Sequence, residues 1–170
     1  MNSNPNVFYR SYTRHRFYYY FMIFIALLTM GCSEDEGEFD FPLEGDTLSI
    51  ADIAGNWTAI FAEFQIRDQP DTSTNIIPDG GSVTINIQNN GRFTAVITFP
   101  GEAPTQFSGQ LGFSDSLLVL LDDEDEPGDE AFLGVALSLD DVLEISGILE
   151  FDFDGNGSFE ETVIFLQMVR

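Results

Sequence analysis

Across residues 50–170 the chain is written in a period of two. Val83, Ile85 and Ile87 alternate with Thr84, Asn86 and Gln88. Phe93, Ala95, Ile97 and Phe99 alternate with Thr94, Val96 and Thr98, and Phe107, Gly109, Leu111 and Phe113 with Gln106, Ser108 and Gln110. That period puts alternate side chains on opposite faces of a β-strand. The runs are short and bounded by turn residues: Asn89-Asn90-Gly91, Asp115-Ser116, Asp140-Asp141 and a Gly-rich stretch at 152–158. Strands are expected near 57–67, 83–88, 93–99, 106–113, 117–121, 132–139, 143–151 and 159–169. Polar loops are expected at 68–81 and 122–130. No stretch carries an amphipathic helical period. Eight sequential strands with short connections imply an antiparallel meander. Closing it removes exposed edges. The expected fold is therefore all-β, an eight-stranded antiparallel up-and-down barrel. A two-sheet β-sandwich is the alternative that the pattern leaves open. A barrel of this size holds side chains or one small ligand.

The first 49 residues read differently. Residues 1–20 hold no acid and three arginines, Arg10, Arg14 and Arg16. Residues 21–30 are apolar apart from Thr29, and Gly31 and Cys32 follow. A basic segment, a short apolar run and a small residue are the plan of a secretory signal peptide. The run is shorter than a spanning helix requires. The expected division is a signal peptide at 1–31, an acidic tether at 32–49 and a β domain at 50–170. An extended tether would hold the domain clear of lipid headgroups.

That cut is also a chemical one. All 29 acids follow residue 31, and only Arg67, Arg92 and Arg170 follow it among basic residues, giving a net charge of −26 for the exported part. Such a surface repels nucleic acid and anionic headgroups, so neither is an expected partner. It suits an ion-rich exterior. His15 and all five tyrosines precede the cut, and there is no lysine. Without histidine, the exported part has no Ser-His-Asp or Cys-His nucleophile and no histidine metal site. No lysine is present for a Schiff base. No enzyme is expected.

Leu28-Thr29-Met30-Gly31-Cys32 resembles the lipobox of bacterial lipoproteins, with its leucine one residue further out than usual. The resemblance implies cleavage before Cys32, diacylglycerol on its sulfur and acylation by palmitate-type chains, which together anchor stably. Ser33-Glu34-Asp35-Glu36 resembles the acidic signal by which one Gram-negative phylum sends lipoproteins to the outer face of the outer membrane. At the start of the β domain, Gly55-Asn56-Trp57 resembles the Gly-x-Trp of the lipocalin and calycin superfamily. That resemblance gives Gly55 and Trp57 structural roles. Trp57 would close one end of the barrel, with Arg170 packed on its ring. It also implies a cavity for a small apolar ligand, although the many phenylalanines of the domain could equally fill it.

Three further features carry candidate chemistry. Asp152-Phe153-Asp154-Gly155-Asn156-Gly157-Ser158-Phe159-Glu160 fits the first half of a calcium loop. Asp152, Asp154, Asn156, Ser158 and Glu160 would supply the oxygens, with no EF-hand around them because Val163 stands at the twelfth position. Glu63, Glu144, Glu150 and Glu161 fall within strands, and two of them facing inward would make a glycosidase-like pair. Asp46-Thr47-Leu48 and Asp115-Ser116-Leu117 resemble bacterial O-glycosylation tripeptides. The functional expectation is a lipid-anchored, surface-exposed outer-membrane lipoprotein whose barrel binds a small apolar ligand. The alternative is a structural or adhesive module, stabilised by calcium.

Overall fold

A computed structural model describes residues 39–152 and 158–170. The signal peptide, Cys32, Asp154 and Asn156 lie outside the described residues. A one-turn helix α1 (Ile50–Ile53) precedes nine strands: β1 (Gly55–Ile66), β2 (Thr74–Asn75), β3 (Ser82–Ile87), β4 (Arg92–Thr98), β5 (Thr105–Ser114), β6 (Leu117–Asp122), β7 (Ala131–Leu137), β8 (Val142–Phe151) and β9 (Glu160–Val169). Every neighbouring pair is antiparallel, and β1 pairs with β9. Eight strands therefore close into an up-and-down barrel, lipocalin-like in architecture, and the sandwich alternative is set aside. Among the described residues no helix is long and apolar enough to cross a membrane.

The period of two survives as an inside and an outside. On β4, Phe93, Ala95 and Ile97 are buried, and on β9 Thr162, Ile164, Leu166 and Met168 are. The partly exposed residues between them face outward. At Asn90-Gly91 the chain reverses with Gly91 at φ 84 and its N–H on the Gln88 carbonyl. At Asp140-Asp141 the Ser138 hydroxyl accepts from two backbone N–H groups, those of Asp140 and Val142. These are the short hairpins expected of turn residues that tolerate positive φ.

β1 is the irregular strand. Its first part pairs with β3, at Gly55 to Thr58, and its later part with β2, at Glu63 and Phe64. On its other edge it runs along β9, with a register shift between Ala59 and Phe61. β2 was not expected from sequence. It belongs to the 67–81 loop, which folds back along β1 and places Ile76 in the core with no exposed surface. The Ile76 N–H donates to the Ala62 carbonyl, and the Asn75 Oδ1 accepts from Ala62 and Ile77. The loop thus covers backbone that β3 leaves unpaired.

The helix α1 was also unexpected, because four residues are too few to show a period. Its N-terminus is tied by the Asp52 carboxylate, which accepts from the Ser49 N–H at 2.8 Å and the Ser49 hydroxyl at 2.7 Å. Those two bonds hold the Asp52 carboxyl below its ordinary range, the hydroxyl first.

The tether reading of 32–49 needs correction for its described part. Residues 39–49 lie against the barrel. The Phe113 N–H donates to the Pro42 carbonyl, and Ile50 donates to Leu43. Phe39 and Phe41 pack on each other at 5.1 Å, and Phe41 meets the Phe132 ring edge-on at 6.1 Å. This strap crosses the outer wall at Gly112, where any Cβ would come within 2.6 Å of the Phe41 Cβ. Val119, paired with Gly112 and Phe132, is fully buried although it points away from the barrel axis. The folded unit begins before Ile50 because a second, smaller apolar cluster sits outside the wall. Removing the half-buried ring by Phe41→Ala should cost about 1–2 kcal/mol. A urea midpoint lowered with unchanged slope is the expected result. An unchanged midpoint would show that the strap contributes nothing.

Candidate functional site in the barrel interior

One end of the barrel is shut by α1, Trp57 and Arg170. Ile50 and Ile53 have no exposed surface, and Trp57 is 1% exposed. The Trp57 Nε1 donates to the Ile53 carbonyl at 2.7 Å, so the indole is fixed to the helix that covers it. The Arg170 guanidinium stands 4.6 Å from the ring centroid, within cation–π range. Its Nη2 donates to the Asp52 carbonyl at 2.6 Å. Gly55 opens β1 at φ 145, beside the Arg170 side chain. Gly55, Trp57 and Arg170 therefore meet at one end of the barrel.

The interior above that floor is apolar on every side. Phe64, Ile85, Phe93, Phe107, Leu118 and Ile145 are among the side chains lining a void of about 50 Å³, and no polar atom contributes to its wall. For scale, an apolar cavity of roughly 150 Å³ holds benzene and stays free of water. The ring of Phe64 packs on Phe99 at 5.2 Å, and Phe93 on Phe107 at 6.1 Å. Much of the lumen is thus filled by phenylalanine.

The four strand-edge carboxylates all face outward. Glu63 accepts from the Ser73 hydroxyl, and Glu144 from Gln167 at 2.9 Å. Glu161 pairs with Arg67 at 2.8 Å. Glu150 is exposed. Glu63, Glu144 and Glu150 each follow an inward-facing apolar residue and Glu161 precedes the buried Thr162, so alternation carries all four carboxylates outside. The glycosidase-like pair is not formed.

Charge gathers instead at the open end. The described residues of the connections there, 67–81, 99–104, 123–130 and Asp152 after β8, hold eleven acids and one arginine, Arg67. Burial raises the Asp125 carboxyl above its ordinary range, and the charges of Asp122, Asp129, Glu150 and Glu124 raise it further. Asp123 goes the other way. The Arg92 guanidinium grips it with two bonds of 2.7 Å, the Ser108 hydroxyl adds a third, and its carboxyl falls below the ordinary range.

Of the calcium-loop residues, Asp152, Ser158 and Glu160 flank the β8–β9 connection, while Asp154 and Asn156 lie outside the described residues. Among the described residues no group of three or more acidic, cysteine or histidine side chains is placed to hold a metal ion. What sequence reasoning missed at this site is the inward-turned 67–81 loop. Its signal was the adjacent pair Ile76-Ile77 inside an otherwise polar stretch.

A scan of family models matches none to this chain, and a search of curated proteins returns no match. The class assigned is therefore that of the fold: a lipocalin-like barrel with a plugged floor, a small apolar lumen and an acidic rim.

Two predictions follow from this geometry. Trp57→Phe leaves the buried Ile53 carbonyl without its donor and a gap beneath the ring. It should cost about 2–4 kcal/mol in urea unfolding, and Arg170→Ala less, about 0.5–2 kcal/mol. For the rim, Asp125→Asn should raise the melting temperature at neutral pH. The wild-type carboxyl is harder to ionise in the folded state than in the unfolded one, so its charge opposes folding above the raised folded pKa. Below the ordinary carboxylate range both states bind the proton, and the advantage of the variant should vanish. An advantage that persists at low pH would refute a charge origin.

Proposed function

We propose that this protein is a lipid-anchored lipoprotein of the bacterial outer membrane, exposed to the exterior, whose barrel binds a small apolar ligand without doing chemistry on it. The observation that carries this reading is the lumen: a void of about 50 Å³ with no polar atom in its wall. Such a wall offers contact and exclusion of water, and no acid, base or nucleophile. The rim supports a finer statement. Carboxylates around the open end disfavour an anionic amphiphile by like-charge repulsion. The ligand is then a neutral, slender molecule, or a short neutral chain segment of a larger one. The lipobox-like residues at Cys32 and the acidic run after it support the anchored, outward-facing location.

The small volume favours a second reading. Drug-sized ligands occupy pockets of roughly 300–1,000 Å³, far more than this lumen offers. The barrel would then be a filled structural or adhesive module, with calcium at the β8–β9 connection as its stabiliser.

Two measurements test the proposal. Radiolabelled palmitate should label the wild type and not Cys32→Ser, which should fold normally and leave the membrane fraction; an unlabelled wild type removes the anchor. For the lumen, methyl NMR of the domain titrated with a six-carbon primary alcohol should shift Leu118 and Ile145 saturably. The carboxylate of the same length should not shift them. Ala95→Leu, which fills the lumen from β4, should abolish the response. Interior methyls that respond to neither compound would leave the structural module as the better reading.

A further inference from the structure

The two tripeptides Asp46-Thr47-Leu48 and Asp115-Ser116-Leu117 are 69 positions apart in the chain, and the fold brings them together. The Asp46 N–H donates to the Asp115 carbonyl at 3.0 Å. Gly45 permits the contact: a Cβ there would lie 2.7 Å from that same carbonyl oxygen and from the Phe113 ring. Both tripeptides occupy reversals of the chain. Residues 44–49 form a small hairpin closed by the Glu44–Ser49 bridge and by the Gly45 N–H on the Leu48 carbonyl. Asp115 and Ser116 are the two corner residues between β5 and β6, where Ser114 pairs with Leu117 and Asp115 takes φ 55.

The hydroxyls are what the two turns present. Thr47 and Ser116 are exposed, as are Asp46 and Asp115 beside them. Neither hydroxyl makes a hydrogen bond among the described residues. The chain supplies its own contrast at Asp71-Thr72. There the Thr72 hydroxyl donates to the Gln69 carbonyl at 2.6 Å and accepts from the Ile66 N–H at 2.9 Å, and serine follows in place of leucine. One hydroxyl holds a loop together. The other two have no structural work and stand side by side at the closed end, away from the mouth.

We propose that Thr47 and Ser116 form a twin O-glycosylation site, read by a transferase through the flanking aspartate and leucine. The donor is a glycosyl diphosphate, lipid- or nucleotide-linked. The hydroxyl oxygen attacks the anomeric carbon, the carbon–oxygen bond to phosphate breaks and the diphosphate leaves with the electron pair. The hydroxyl proton passes to a base of the transferase. Glycans at this end leave the mouth open and shield the strap where it joins the barrel. The inference needs neither a ligand in the lumen nor a lipid on Cys32.

The full chain, purified from cells that export it, tests this. The intact mass should exceed that of the polypeptide and any lipid by two glycans. Fragmentation should place them on Thr47 and Ser116 and leave Thr72 bare. Thr47→Val and Ser116→Ala should each remove one glycan. Asp46→Asn should also remove the glycan from Thr47 with the hydroxyl still present and the circular dichroism unchanged, a loss that a merely structural role would not produce. Peptides covering both tripeptides at their unmodified masses, or sugar on Thr72 in their place, would overturn the proposal.

Discussion

Everything in this fold depends on one extra residue in β1. A barrel can close only if its first strand presents one apolar face to the lumen along its whole length. The sequence of β1 cannot do so with a plain alternation. Trp57 and Ala59 are inward at odd positions, whereas Ala62 and Phe64 are inward at even ones. The register shift between Ala59 and Phe61 absorbs the difference. A bulge of this kind adds a residue to one strand and bends it. Without it, Glu63 and Gln65 would point into the lumen, and Phe64 would be lost to solvent. With it, Phe61 comes out beside Phe165 at 5.8 Å on the outer wall, and β1 can pair with β9 from Thr58 to Ile66. The bend also carries the second half of β1 away from β3. That separation is why the 67–81 loop must fold back and supply β2 and Ile76.

The same partition explains how so acidic a chain folds. Among the described residues no carboxylate lines the lumen void, so the fold avoids the cost of burying charge there. The two ion pairs among the described residues, Arg67 with Glu161 and Arg92 with Asp123, are about half exposed. Exposed pairs contribute roughly 0–1 kcal/mol each, too little to hold the barrel against its own repulsion. Burial of the core does that. Repulsion is felt instead where the connections crowd together at the rim, and Asp125 registers it.

How much of this could be read beforehand depends on the length of each signal. β3, β4 and β5 were legible because their alternation runs for six or more residues and ends in residues that accept positive φ. Closure was legible from the count of hairpins. Trp57 and Arg170 were legible only through a resemblance. α1 was not, since four residues span barely one turn. β2 was not, since two residues have no period. The bulge was invisible because the chain WTAIFAEF satisfies neither parity, and only the pairing with β9 says where the parity changes. Phe39 and Phe41 fall within the stretch read as an acidic tether because their partners, Gly112 and Phe132, lie more than 70 residues away. Lumen volume was illegible for a similar reason: whether thirteen phenylalanines fill a barrel depends on how many face inward, and several of them pack outside.

The strap changes what anchoring implies. If the lipid sits on Cys32, the free span to Phe39 is seven residues, which reaches at most about 25 Å. An extended tether ending at Ile50 would have allowed more than twice that. A lipid on Cys32 would then hold the barrel through the strap, which docks on the wall at Gly112 and Phe132, and not through the residues just before α1. An anionic surface would repel the exported part as a whole, whose net charge is −26. On the barrel itself, the 67–81 loop folds back along β1 at the rim and buries Ile76 in the core.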